Sequence, residues 1–76
     1  EANLPMDLGL PMPSQRATFY LNLLTDPNPH VRKKAAHAIG QIGDKTCLFR
    51  LKDTLAQEPD ADIQKAIQEA IAKLEA

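Results

Sequence analysis

From Ser14 onward apolar residues recur at helical spacing, and two polar, proline-bearing breaks cut the pattern into segments. The pattern predicts four helices. The first runs over 15–24, with Phe19, Leu23 and Tyr20 or Leu24 on one side and Ser14 as N-cap. Asp26, Pro27, Asn28 and Pro29 end it and begin the next helix: Asn28 can cap free amides, and Pro29 suits the first helical position, where a missing N–H costs nothing. Along this second helix Val31, Ala35, Ala38, Ile39 and Ile42 fall in one stripe, with Lys33, His37 and Gly40 roughly opposite. A glycine inside a helix costs about 1 kcal/mol against alanine, so Gly40 predicts a closely packed neighbouring helix. Gly43 supplies a left-handed C-cap and Asp44 a new N-cap. A third helix follows over 45–57, facing inward with Leu48, Leu51 and Leu55 and flanked by Cys47 and Phe49. Glu58, Pro59 and Asp60 repeat the earlier break. The fourth helix, 61–74, buries Ile63, Ile67, Ala70, Ile71 and Leu74.

Residues 1–13 follow a different rule. Ala2, Leu4, Met6, Leu8, Leu10 and Met12 occupy even positions while Pro5, Asp7, Gly9, Pro11 and Pro13 fall at odd ones, which gives an extended chain one apolar edge. The prolines exclude a central strand. The segment is either a linker or an arm laid along an apolar groove. Because each Leu or Met gains about 1.5 to 3 kcal/mol on burial, the arm is the reading the composition favours.

Shifting the chain against itself by 32 residues aligns Phe19 with Leu51, Leu23 with Leu55, Pro27 with Pro59, Asn28 with Asp60, Val31 with Ile63, Lys33 with Lys65, Ala38 with Ala70, Ile39 with Ile71 and Ile42 with Leu74. Break, cap and apolar stripe coincide, so the body reads as two repeats, 14–44 and 45–76, each a short helix, a turn and a longer helix. The overlay places Ala38 and Ala70 at one inward, close-contact position. Such units cannot bury their faces alone and therefore stack.

The run Leu23-Leu24-Thr25-Asp26-Pro27-Asn28-Pro29-His30-Val31-Arg32, followed by Ala35-Ala36-His37-Ala38-Ile39-Gly40-Gln41-Ile42-Gly43-Asp44, resembles a HEAT repeat, in particular the short type found in phycobilisome lyases. The second unit departs from it, with Ile63-Gln64 for Val31-Arg32 and with Ala72 and Glu75 where the glycines stood. The resemblance implies an all-α solenoid of two units and four helices, preceded here by the extended arm. It places the second helix of each unit on a concave face and implies protein recognition and scaffolding more than catalysis. It also implies that Arg32 bridges to an aspartate in an adjoining turn, Asp26 or Asp60. A fragment or subunit of a bilin lyase is the alternative it leaves open. Two units are few for a continuous core, so the arm, a second copy, further repeats or a partner assembly should cover the open ends.

The chemistry of the chain narrows the function. At 76 residues it holds one domain, and its 43% apolar and 25% charged composition is that of a globular protein without the roughly 18-residue apolar run of a membrane span. A single cysteine, Cys47, allows no internal disulfide and reads as a small buried hydrophobe, which suggests a reducing, cytoplasmic setting. The chain begins at Glu1 with no leader pattern, so trimming, processing or excision from a longer protein is expected. Nine Lys and Arg against ten Asp and Glu give a net charge of −1, a balance that argues against nucleic acid as a partner. His30 and His37 lie about 10.5 Å apart along one helical face, too far to share a metal ion. No nucleophile, metal or cofactor constellation emerges, so a non-enzymatic binding module is expected. Its candidate recognition face is a two-row polar ladder, Lys33, His37 and Gln41 beside Lys65, Glu69 and Lys73, each row spaced i, i+4, i+8. Its lysines suit a protein partner with an acidic surface or a larger assembly, and self-association is possible.

Overall fold

The computed structural model describes residues 12–76. The described chain is all α-helical: α1 (Gln15–Leu23), α2 (Pro29–Ile42), a 3-10 turn (Lys45–Cys47), α3 (Leu48–Gln57) and α4 (Ala61–Glu75). Helix α2 packs against both α1 and α4, and α3 packs on α4, so α2 and α4 form the spine. The segment expected as an extended arm lies outside the described residues except at its end, where Met12 is exposed.

Helices α1, α2 and α4 start where the sequence offers a side-chain acceptor for their free amides, and α3 continues from a 3-10 turn that is capped in the same way. The Ser14 hydroxyl accepts the Ala17 N–H, the Asn28 side chain accepts the His30 N–H, and the Asp60 carboxylate accepts the N–H groups of Asp62 and Ile63. Helix α2 ends on Gly43 at φ 75°, a left-handed backbone that disfavours any side chain. The third helical segment begins with a tight 3-10 turn, because the Asp44 carboxylate accepts both the backbone N–H and the hydroxyl of Thr46. The other oxygen of Asp44 accepts the Ser14 N–H at 3.0 Å, which ties the start of α1 to the loop after α2.

The core gathers Ala17, Leu21 and Leu24 from α1, Ala35, Ala36 and Ile39 from α2, Cys47 and Leu51 from the third segment, and Ile63, Ala66, Ile67, Ala70 and Leu74 from α4. Tyr20, Leu23, Leu48, Leu55 and Ile71 pack against it from the rim. Phe19 does not join them. It is 59% exposed and stacks edge-on against Tyr20, with ring centroids 5.2 Å apart. The inward stripe of α1 is Ala17, Leu21 and Leu24, so the pairing of Phe19 with the fully buried Leu51 fails. A shift of 30 rather than 32 matches burial in the first helices: Ala17 with Cys47, Leu21 with Leu51, and the exposed Phe19 with the exposed Phe49. The two registers differ because α1 reaches α2 through residues 24–28 whereas α3 runs to Gln57 and leaves only 58–60 before α4. Burial pushes the Cys47 thiol up, and the nearby Asp44 carboxylate adds to the effect.

Gly40 faces α4, not the solvent side assigned by the helical wheel. A Cβ built on it would stand 3.2 Å from the Ala70 Cα, so the close helix contact anticipated from the glycine is made with α4. Ala38 and Ala70 are not equivalent in burial: Ala70 is 2% exposed beneath Gly40, whereas Ala38 is half-buried at an open groove. Ala70→Leu should therefore lower stability by about 1 to 3 kcal/mol through overpacking, while Ala38→Leu changes it little; thermal melts of the two variants separate them.

The turns are joined by Arg32. Its Nε and Nη2 donate to the two oxygens of Glu58 at 3.0 and 3.2 Å, and its Nη1 donates to the carbonyls of Asp26 and Pro27 at 2.9 and 3.2 Å. The partner carboxylate is thus Glu58, not Asp26 or Asp60, because Asp26 contributes its backbone and Asp60 is committed to capping α4. The Glu58 side chain is 2% exposed and also accepts the Asp60 N–H. Removing one member of a buried pair strands the other, so Glu58→Ala should cost about 3 kcal/mol. The Arg32→Ala, Glu58→Ala double variant should lose clearly less than the sum of the single losses in urea titrations.

Acid should loosen the Asp44 clasp. Bonds from Thr46 and then Ser14 hold the Asp44 carboxyl below its usual 3.8. A carboxyl depressed in the folded state stabilises fully above its unfolded pKa and loses that contribution as pH falls through the folded value. Stability that depends on Asp44 should therefore fade below about pH 4, and Asp44→Asn should flatten that part of the pH profile in urea unfolding curves.

Candidate recognition face

The spine helices carry the residues of the polar ladder, and the close approach at Gly40 and Ala70 sets the two rows side by side. Lys33 and His37 from α2 and Lys65 and Glu69 from α4 line one shallow groove of about 190 Å³, with Ala66 at its floor. Asp62, which the ladder omits, completes it. Its Oδ2 accepts from Lys33 Nζ at 2.9 Å, and this bond holds the Lys33 ammonium above its usual pKa and the Asp62 carboxyl below its own. Asp62 lies one position outside the i, i+4, i+8 rows, on the first turn of α4, where an acidic residue reads from sequence as a partner of the helix dipole. Its spatial relation to Lys33 exists only once the helices pack.

Gln41 and Lys73 stand apart from these four. Gln41 lines a different groove, of about 270 Å³, with Arg16, Tyr20, Ala38 and Ile42 between α1 and α2. Lys73 crosses over Gly40, its Cδ 3.4 Å from where a Cβ would sit there. The ladder thus resolves into a four-residue groove with Asp62, a lysine beside its far end, and one residue on another surface. Lys33, Lys65, Asp62 and Glu69 balance in formal charge, so the groove is less positive than the ladder, whose three lysines stand against Glu69 alone. Lys33 is engaged by Asp62, whereas Lys65 and Lys73 have no ion pair among the described residues.

A third hollow, about 290 Å³, lies beside the turns, with Leu24 among its lining residues and Arg32, Arg50, Asp53 and Glu58 around it. The Arg32 and Glu58 groups there are already spent on each other. Among the described residues no three His, Cys, Asp or Glu side chains stand together as metal ligands, and no helix is long and apolar enough to cross a membrane.

Over 51 residues, 67% of its length, the chain is 41% identical to an uncharacterized protein in the gldA 3' region of Geobacillus stearothermophilus. It spans 24% of that protein, whose name carries no activity and says nothing for the phycobilisome-lyase type. No solved structure matches the chain. The family model for HEAT repeats matches residues 12–72, the span that contains all four helices but the last residues of α4, and with the paired helices and the arginine-linked turns this establishes that the chain belongs to the HEAT-repeat family.

Proposed function

We propose that the protein is a non-enzymatic recognition module that binds another protein across the α2 and α4 face, through His37, Lys65, Glu69 and Lys73, with Lys33 held ready by Asp62. The observation that carries this reading is the groove itself. A mixed-charge surface is built from two helices whose spacing is fixed by a glycine and an alanine, so its side chains are set on rigid elements. HEAT repeats in general serve protein interaction and not catalysis, which agrees with this use. Lys65 and Lys73 are the cations left for acidic groups of a partner, because Lys33 already has a carboxylate. Gln41 belongs to a separate surface and leaves the site.

Photo-crosslinking from the intact chain tests this. A photoreactive residue at His37 or Lys65 should capture one and the same protein from native extract, and one at Phe19 or Phe49 should not. Lys65→Glu with Lys73→Glu should then slow association with the captured protein roughly tenfold at low salt and leave helicity and melting temperature unchanged. Capture from the Phe19 or Phe49 positions instead, or association indifferent to both reversals, would move the contact surface to α1 and α3.

A further inference from the structure

Three large apolar side chains stay exposed among the described residues, Met12, Phe19 and Phe49, and the two phenylalanines hold corresponding places in the first helices. Phe49 is the most open, at 78%. Each follows its N-cap, Ser14 or Asp44, by five residues, and the two caps are joined by the 3.0 Å bond between them. From that junction α1 and α3 run alongside each other, because Leu24 and Thr25 at the end of α1 share a hollow with Asp53, Thr54 and Gln57 of α3. Ala17 and Leu21 face inward as Cys47 and Leu51 do, so both phenylalanines project from the same outer side at the same height. Neither lines any of the three hollows described above. The face is a ridge with aromatic tips, and those tips border no pocket that could take a foreign side chain.

The charges around Phe49 are self-complementary. Lys45 lies four residues before it, in the 3-10 turn, and Asp53 four after; both are exposed, and neither has an ion pair among the described residues. A two-fold axis through Phe49, across the helix, lays α3 antiparallel on α3 of another copy. Lys45 then meets the second copy's Asp53, and Asp53 meets the second copy's Lys45. Because Phe19 stands at the same height, the same axis pairs it with its own equivalent. Like charges do not meet: Arg16 falls opposite Asn22, and Lys52, held by Glu75 at 2.8 Å, falls opposite Thr46.

We infer that the outer face of α1 and α3 is the interface of a weak two-fold dimer of this chain, with Phe49 stacked on its equivalent at the axis and the pair of Lys45 with Asp53 made twice. The charges select a second copy as the occupant. A uniformly anionic surface, a layer of lipid headgroups included, would meet Asp53, and a cationic one would meet Lys45. Helices of nine and ten residues are only about 14 and 15 Å long, so the contact is smaller than a standard interface and the association is reversible. This face is separate from the groove between α2 and α4 and does not depend on the function proposed for it.

Sedimentation velocity of the purified intact chain, taken from micromolar to millimolar concentration, tests this. The chain should pass reversibly from monomer to dimer. Phe49→Ala should raise the dissociation constant about tenfold or more, because it empties the centre of the contact. Lys45→Asp or Asp53→Lys alone should weaken the dimer about tenfold, since each sets like charges together twice, and both in one chain should restore the parent affinity to within about threefold. The two single variants, mixed, should form a heterodimer in which both charge pairs are matched. That rescue separates a lost contact from a lost fold. A chain that stays monomeric at millimolar concentration, a dimer indifferent to Phe49→Ala, or charge reversals that neither the double variant nor the mixture repairs would overturn the inference. Dimerisation gained only on deleting residues 1–11 would assign the face to that segment and would equally overturn it.

Discussion

Arg32 is the point at which two helical pairs become one structure. Its guanidinium is planar and carries five donors in a fixed fork, and four of the bonds it makes span two turns that lie far apart in sequence. Lysine offers a point charge without the fork and could not hold two carbonyls and both oxygens of a carboxylate together. The pair with Glu58 is nearly dry, so each partner is held by the penalty for stranding the other as much as by attraction. Because Glu58 also bonds the Asp60 N–H, and Asp60 caps α4, the position of Arg32 is passed directly into where α4 begins. The side-chain polar atoms that are buried among the described residues all have partners, so this network is a satisfied one.

The helices, caps and turns were largely legible in the sequence because each depends on residues within four or five positions of one another. Ser14, Asn28, Asp44 and Asp60 cap the helices they precede, and Gly43 takes the left-handed backbone its position suggests. What was not legible depends on relations across the chain. Phe19 and Leu51 align in a letter-by-letter overlay, but the loop before α2 is longer than the one before α4, and that difference rotates α1 relative to its counterpart. Glu58 is not legible as the arginine's partner because the resemblance points to an aspartate, whereas the glutamate at the place of Asp26 reaches one methylene further to meet Arg32.

The candidate face shows the same division. The rows of Lys33 and His37 and of Lys65 and Glu69 follow from helical spacing alone, and they do meet in one groove. Gln41 leaves its row because α2 is also packed by α1, and the eight-residue step from Lys33 turns it toward that neighbour's side. Asp62 enters because α4 begins beside Lys33, a fact set by the Arg32 and Glu58 clamp and visible in no single helix. The charge of the surface accordingly differs from the charge of the ladder. Asp62 enters the groove and Lys73 stands outside it, so the groove is balanced, and among the described residues neither Lys65 nor Lys73 has an ion pair.

The interior controls this surface through small residues. Gly40 and Ala70 let the backbones of α2 and α4 come so close that a methyl group on the glycine would meet the Ala70 backbone at 3.2 Å. A glycine in that place weakens the isolated helix by about 1 kcal/mol, a loss that only the contact with α4 offsets. Separating the helices by a larger pair of residues would leave each row of polar side chains intact on its own helix, yet Lys33 would no longer reach Asp62 and the groove over Ala66 would open into two unrelated surfaces. Residues with no polar atom in their side chains thus determine which charges can act together. That is why the polar face cannot be understood from its own residues, and why the burial of Ala70, more than the spacing of the lysines, sets its geometry.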